Sequence, residues 1–168
     1  KVFLAHATSK IKTAEDLEKI GTLGFRGEAL ASIASVSKVM LTSKVENELY
    51  GSKLNVAGGQ KSEIFEVGCA NGTTIEVSDL FFNVPARAKF LKKPRQEQTE
   101  ITNLICRYIL ANPFVSISYF ADDVEVLMSN GNGLKDALYV VYGKEILDNL
   151  IEVDYTSKNN IKVSGWAS

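Results

Sequence analysis

The sequence predicts an α/β (α+β) fold in two layers, with helices on one face of a mixed, mostly antiparallel sheet. Two observations lead there. Between Lys38 and Asp79 short β-rich runs alternate with glycine- and asparagine-bearing breaks, the pattern of strands joined by tight turns. Gln98 to Ala111 carries Ile101, Leu104, Ile105, Tyr108 and Ile109 at helical spacing, which marks one apolar face. The 168 residues suffice for about one domain. The 45% hydrophobic and 23% charged composition is that of an ordinary globular chain.

Taken in order, Lys1-Val2-Phe3-Leu4-Ala5 opens without a methionine, as though an element were already under way. His6-Ala7-Thr8-Ser9-Lys10 is a small polar loop whose hydroxyls and lysine suit a phosphate, or a plain surface turn. His6 is the only histidine, without a carboxylate or cysteine at ligand spacing. It reads as a hydrogen-bonded structural residue. A helix is expected over Thr13–Ile20, with Thr13 as cap, Asp16 closing a weak capping box, Leu17 and Ile20 as its apolar stripe, and Gly21 as its stop.

Thr22-Leu23-Gly24-Phe25-Arg26-Gly27-Glu28-Ala29-Leu30 is the stretch the chain is organised around. Glycines at 21, 24 and 27 lead into strong helix formers. The unpaired N–H groups at a helix start, and the dipole behind them, favour an anion. Arg26 adds a fork of donors. An ordinary loop-to-helix junction explains the same glycines, and spacing alone does not choose. The following helix is expected to turn Ala29, Leu30, Ile33 and Ala34 inward.

An antiparallel meander is expected next: Val39–Lys44, Leu49–Ala57, Glu63–Glu66 and Thr73–Val77, turning at Gly58-Gly59 and Asn71-Gly72. Alternation in the last strand sets Thr73, Ile75 and Val77 on one side. Phe81, Phe82 and Phe90 read as core, and Pro85 as the first residue of a helix. Arg87, Lys89, Lys92, Lys93 and Arg95 form the one basic cluster. It suits either a DNA backbone or a solvated helix end whose dipole the cations offset.

After Asn112-Pro113 stops the long helix, Val115–Ala121 and Val124–Met128 read as a hairpin turning at Asp122-Asp123, turn residues rather than a metal pair. Ser129 to Gly133 is the expected boundary between segments. Leu134–Tyr142 is a helix closed by Gly143, and Ile151–Tyr155 with Lys162–Trp166 a strand pair.

The net charge of −1 draws the chain to neither nucleic acid nor membrane as a whole. The separated Cys69 and Cys106 make no disulfide framework or zinc knuckle. No apolar run approaches the roughly 20 residues of a membrane span. The expected location is cytoplasmic.

Three stretches stand in a telling order: His6 to Ile11, Gly24 to Ile33, and Gly72 to Val77 followed by Asp79 to Phe90. Together they closely resemble the N-terminal ATPase region of the MutL mismatch-repair family, a branch of the GHKL ATPases. The resemblance implies a GHKL ATPase domain over residues 1–131, truncated at its N-terminus. From residue 132 it implies the start of a second domain like domain 2 of ribosomal protein S5. It implies ATP and Mg2+ as cofactors, hydrolysis in the intact protein, and dimerisation on ATP binding, as homodimer or with a paralogue. DNA and a MutS-type mismatch-recognition protein are the implied partners, with the nucleus as location in a eukaryote.

By residue, the resemblance assigns Thr8, Ser9 and Lys10 to the first part of a nucleotide lid. Gly24, Phe25, Arg26, Gly27, Glu28, Ala29 and Leu30 form the second part, and Thr73 lies at the base of the pocket near the adenine. The family's catalytic glutamate, magnesium-binding asparagine and adenine-reading aspartate precede the position of His6, and only five residues stand there. Its γ-phosphate lysine lies beyond Ser168. The 168 residues therefore read as an internal fragment, with no catalytic residue and no metal ligand, expected to bind nucleotide weakly and not to turn it over. Two alternatives are a DNA-binding module acting through the basic cluster and another GHKL ATPase such as a topoisomerase subunit. The Asp79–Phe90 stretch speaks against the second.

Overall fold

The computed structural model describes residues 2–4, 6–11, 13, 15–22 and 24–168, with only the backbone of 17 and 19. Lys1, Ala5, Leu23 and the side chain of Leu17, all named above, lie outside the described residues. The chain forms two compact units, Lys1–Leu91 and Lys92–Ser168.

In the first unit the expected opening helix is a 3-10 helix over Glu15–Lys19. The Asp16 carboxylate accepts from the Thr13 N–H at 3.0 Å, so one arm of the capping box is made. The Glu15 carboxylate is held below its ordinary pKa by its own backbone N–H and then by the Thr13 hydroxyl. This small contribution exists above the usual carboxylate range and fades as pH falls through the lowered value.

Helix α1 (Ala29–Ser35) runs down to a five-stranded sheet of β1 (Lys38–Lys44), β2 (Gly51–Ala57), β3 (Gln60–Lys61), β4 (Phe65–Val67) and β5 (Gly72–Ser78). Every pairing is antiparallel, but the sheet is not the expected meander. Its order is β3-β2-β1-β5, with β4 also on β2. The first turn is as read: Gly58 and Gly59 both have positive φ and link β2 to β3, the conformation a two-residue hairpin needs.

One face of this sheet is apolar. Val39 pairs with Val56 and Val77, and Leu41 with Leu54 and Ile75. Phe3, Ala34, Val39 and Val56 are buried together, with Leu30, Leu41 and Leu54 packed against them. Ile75 and Val77 nevertheless stay exposed. A helix about 10 Å wide spans only about two strands spaced near 4.8 Å, and α1 lies over β1 and β2. The same narrowness corrects the inward set of α1. Ala34 is buried and Leu30 half-buried, while Ala29 and Ile33 face outward.

The C-terminal carbonyls of α1, which have no partner within the helix, are met from elsewhere in the unit. The Gly59 N–H donates to the Ala34 carbonyl at 2.8 Å, and the Phe81 N–H to Val36 at 2.7 Å. The Asn83 side-chain amide donates to Ser35 at 2.9 Å. Asp79 and Phe81 take left-handed φ of 51° and 65° to bring this loop back to the helix. That detour explains why the phenylalanines are not core. Phe81 is half-buried, Phe82 lies exposed under the Lys38 ammonium, and Phe90 is 86% exposed after the short helix α2 (Pro85–Ala88). Asn83→Ala, which orphans the Ser35 carbonyl, should cost about 1 kcal/mol. Urea unfolding would read it, and an unchanged midpoint would remove this clamp from the account.

In the second unit α3 (Pro94–Ala111) starts four residues earlier than expected, with Pro94 in its first turn. It packs on β6 (Ser116–Ala121) and α4 (Leu134–Asp148). Only Ile109 of its apolar stripe is fully buried, Ile105 is half-buried, and Ile101, Leu104 and Tyr108 are exposed. β7 (Val124–Asn130) pairs with β6 through Asp122-Asp123, both at positive φ, as turn residues. Ser129 and Asn130 belong to that strand, and Ser129 is wholly buried. Gly143, at φ 79° and ψ 172°, interrupts α4 where a stop was expected, and the helix then resumes to Asp148. β8 (Ile151–Thr156) and β9 (Lys162–Ala167) form the final hairpin.

Candidate functional site

Two of the predicted segments meet in the first unit. Thr8, Ser9 and Lys10 on one side, and Gly24 through Leu30 on the other, line a single cavity of about 700 Å³. Val2, Ala7 and Ser32 complete it. Ser32 was not singled out from sequence, although it lies one helical turn after Glu28 and its N–H donates to the Glu28 carbonyl at 2.9 Å.

Gly27 sets how closely the walls approach. Its φ is +65°, and a Cβ there would strike the Ala7 carbonyl oxygen and lie 2.6 Å from the carbonyl carbon. A side chain at 27 is therefore excluded twice, by conformation and by space. At Gly21 and Gly24 nothing among the described residues lies within 4 Å of an added Cβ. Of the three evenly spaced glycines, Gly27 alone is required by geometry.

The walls are also joined by side chains. The His6 imidazole Nδ1 lies 2.9 Å from the Glu28 Oε1. The group that faces His6 is therefore Glu28, at the head of α1. On one wall the Lys10 N–H donates to the Thr8 hydroxyl at 3.1 Å, and on the other the Thr22 hydroxyl donates to the Gly24 carbonyl at 3.1 Å. The Arg26 guanidinium sits 5.5 Å from the centre of the Phe25 ring and is exposed. Among the described residues Lys10 and Arg26 are the cations of the lining and Glu28 its one carboxylate.

Thr73 is not among the lining residues. It lies on β5 opposite Ser43, and the two hydroxyls are 2.8 Å apart. The basic cluster divides between the units. Arg87 lies in the last turn of α2 and Lys89 caps it, so the dipole explanation suits Arg87. Lys92, Lys93 and Arg95 stand at the opposite kind of helix end, the start of α3. The Lys92 ammonium pairs with Glu100 at 3.1 Å, and the Lys92 backbone N–H donates to the Glu97 carboxylate. All five side chains are exposed.

The MutL protein of Clostridium beijerinckii is 51% identical to this chain over 152 residues, 90% of it and 23% of the relative. That of Caldanaerobacter subterraneus subsp. tengcongensis is 47% identical over 167 residues, 99% of this chain and 28% of the relative. Over nearly its whole length the chain is similar to members of the MutL family. It spans about a quarter of the length of the curated MutL proteins it matches. Among solved structures, the Aquifex aeolicus MutL ATPase domain complexed with ADP is similar at a TM-score of 0.70 and 36% identity. That match covers 86% of this chain and 56% of the other. The fold is accordingly the α+β, GHKL-type fold of MutL ATPase domains. No protein-family model matches. Among the described residues no helix is long and apolar enough to cross a membrane.

Proposed function

We propose that the cavity between residues 7–10 and 24–32 receives the phosphates of ATP, as part of a MutL-type mismatch-repair ATPase. The observation that carries this reading is the convergence of Thr8, Ser9, Lys10 and Gly24–Leu30 around the Gly27–Ala7 contact. Hydroxyls, two cations and a backbone that no Cβ obstructs are what a polyanion needs. The ADP held by the Aquifex relative supports a nucleotide as the ligand.

Magnesium is a different matter. It is bound through one or two carboxylates together with substrate phosphates, whereas the one carboxylate here already faces His6. The donor set does not fit a magnesium site. The chain's own part is to grip and orient phosphate: Lys10 and Arg26 offset charge, and the loop amides direct it. Thr73 near the adenine, ordering of residues 8–10 and 24–30 as a lid, and dimerisation on nucleotide binding belong to the same proposal. So do ATP hydrolysis by the whole protein, DNA contact through Arg87, Lys89, Lys92, Lys93 and Arg95, a MutS-type partner, a cytoplasmic location and a second domain beginning near residue 132.

The test is ATP turnover and binding of a non-hydrolysable ATP analogue by these 168 residues, beside a longer form carrying the preceding part of the family sequence. Only the longer form should hydrolyse ATP, and Arg26→Ala in it should weaken analogue binding by about tenfold, the loss of one charge-assisted contact. If neither form binds the analogue, the phosphate reading is wrong whatever the family.

A further inference from the structure

We infer that His6 is a positioning residue that keeps the Glu28 carboxylate from opposing an anion in the cavity. The inference rests on the phosphate reading above and adds a role that the reading does not contain. A cavity meant for a polyanion is expected to be free of negative charge, yet Glu28 lines this one. An unpaired carboxylate there repels each phosphate, and within a Debye length water does not fully screen it. The structure supplies the answer in the 2.9 Å contact between Oε1 of Glu28 and Nδ1 of His6. The imidazole is the group that faces this carboxylate, and in its protonated form it offsets the carboxylate charge.

The backbone makes the arrangement specific. His6 has φ of 60°, an uncommon conformation for a residue with a side chain. It immediately precedes Ala7, whose carbonyl abuts Gly27. The contact at Gly27 and the pair at Glu28 are therefore consecutive along both walls. Removing the imidazole and removing the carboxylate then have opposite consequences for an anionic ligand, which a purely mechanical tie between the walls does not predict.

Inorganic tripolyphosphate titrated calorimetrically into the 168-residue chain and three variants tests this, at low and at physiological salt. Both side chains are largely solvent-exposed, 80% and 45%, so the variants should keep the fold. With the imidazole protonated, His6→Ala should weaken binding by about threefold to tenfold, the loss of a single nearby charge at partial screening. Glu28→Gln should tighten it by a similar factor, and the double variant should bind at least as well as the parent. The loss in His6→Ala should shrink at the higher salt. Equal weakening by both single variants, or no change in either, overturns the inference while leaving the phosphate site standing. A parent chain that does not bind tripolyphosphate overturns the phosphate site, and this inference falls with it.

Discussion

Gly27→Ala is expected to abolish binding of an ATP analogue within the measurable range, a loss of a hundredfold or more, and to destabilise the first unit. Two costs combine. A residue with a side chain loses roughly 1 kcal/mol relative to glycine in the left-handed region. The new methyl also has to displace the Ala7 carbonyl, which is backbone and cannot rotate aside. About 2–4 kcal/mol in all is consistent with strain at a special φ combined with overpacking, and it falls on the segment that carries Thr8, Ser9 and Lys10. Gly21→Ala is the control, because nothing among the described residues lies within 4 Å of its added Cβ. It should leave binding unchanged and raise stability by up to about 1 kcal/mol through the unfolded chain. Calorimetry and a thermal melt on the two variants decide the matter. Equal behaviour of the two would mean that the Gly27–Ala7 approach does not shape the cavity.

The contrast between those two glycines shows what the sequence made legible. Regular spacing at 21, 24 and 27 announced a loop entering a helix, and the loop is there. Which glycine matters depended on Ala7, 20 positions upstream in the chain, and no local pattern carries that contact. The strands were legible because alternation and glycine turns are local signals. β5 pairing with β1 instead of continuing past β4 was not, since apolar pairs such as Leu41 with Ile75 form only once the sheet exists. The phenylalanines at 81, 82 and 90 misled because hydrophobicity says core, while the left-handed turns at Asp79 and Phe81 carry the chain back to α1. Phe3, read as part of an opening run, is the aromatic that is buried. For the site, the convergence of residues 8–10 with 24–30 followed the family resemblance, whereas the His6–Glu28 pair needed coordinates.

Ala34→Leu should have the second-largest effect, and it acts on the cavity from the far side of α1. Ala34 is 1% exposed, closed in with Phe3, Val39 and Val56, so three extra carbons have no space. Overpacking of this kind costs about 1–3 kcal/mol, on the order of 10 °C in the melting temperature of a unit this size. Relief by lifting α1 off the sheet is resisted at its C-terminal end, where the Gly59 N–H, the Phe81 N–H and the Asn83 amide hold consecutive carbonyls. The displacement should therefore emerge at the other end, among Gly27, Glu28 and Ser32. Amide exchange at Ser32, whose N–H bonds the Glu28 carbonyl, should accelerate more than exchange at Gly59, and tripolyphosphate binding should weaken with it. Val39→Ala in the same cluster removes volume where leucine needs it. The double variant should recover part of both losses, as neighbours sharing one space do not add independently. Faster exchange at Gly59 than at Ser32 would show that the C-terminal clamp yields first, and that α1 does not transmit strain from the core to the phosphate loop.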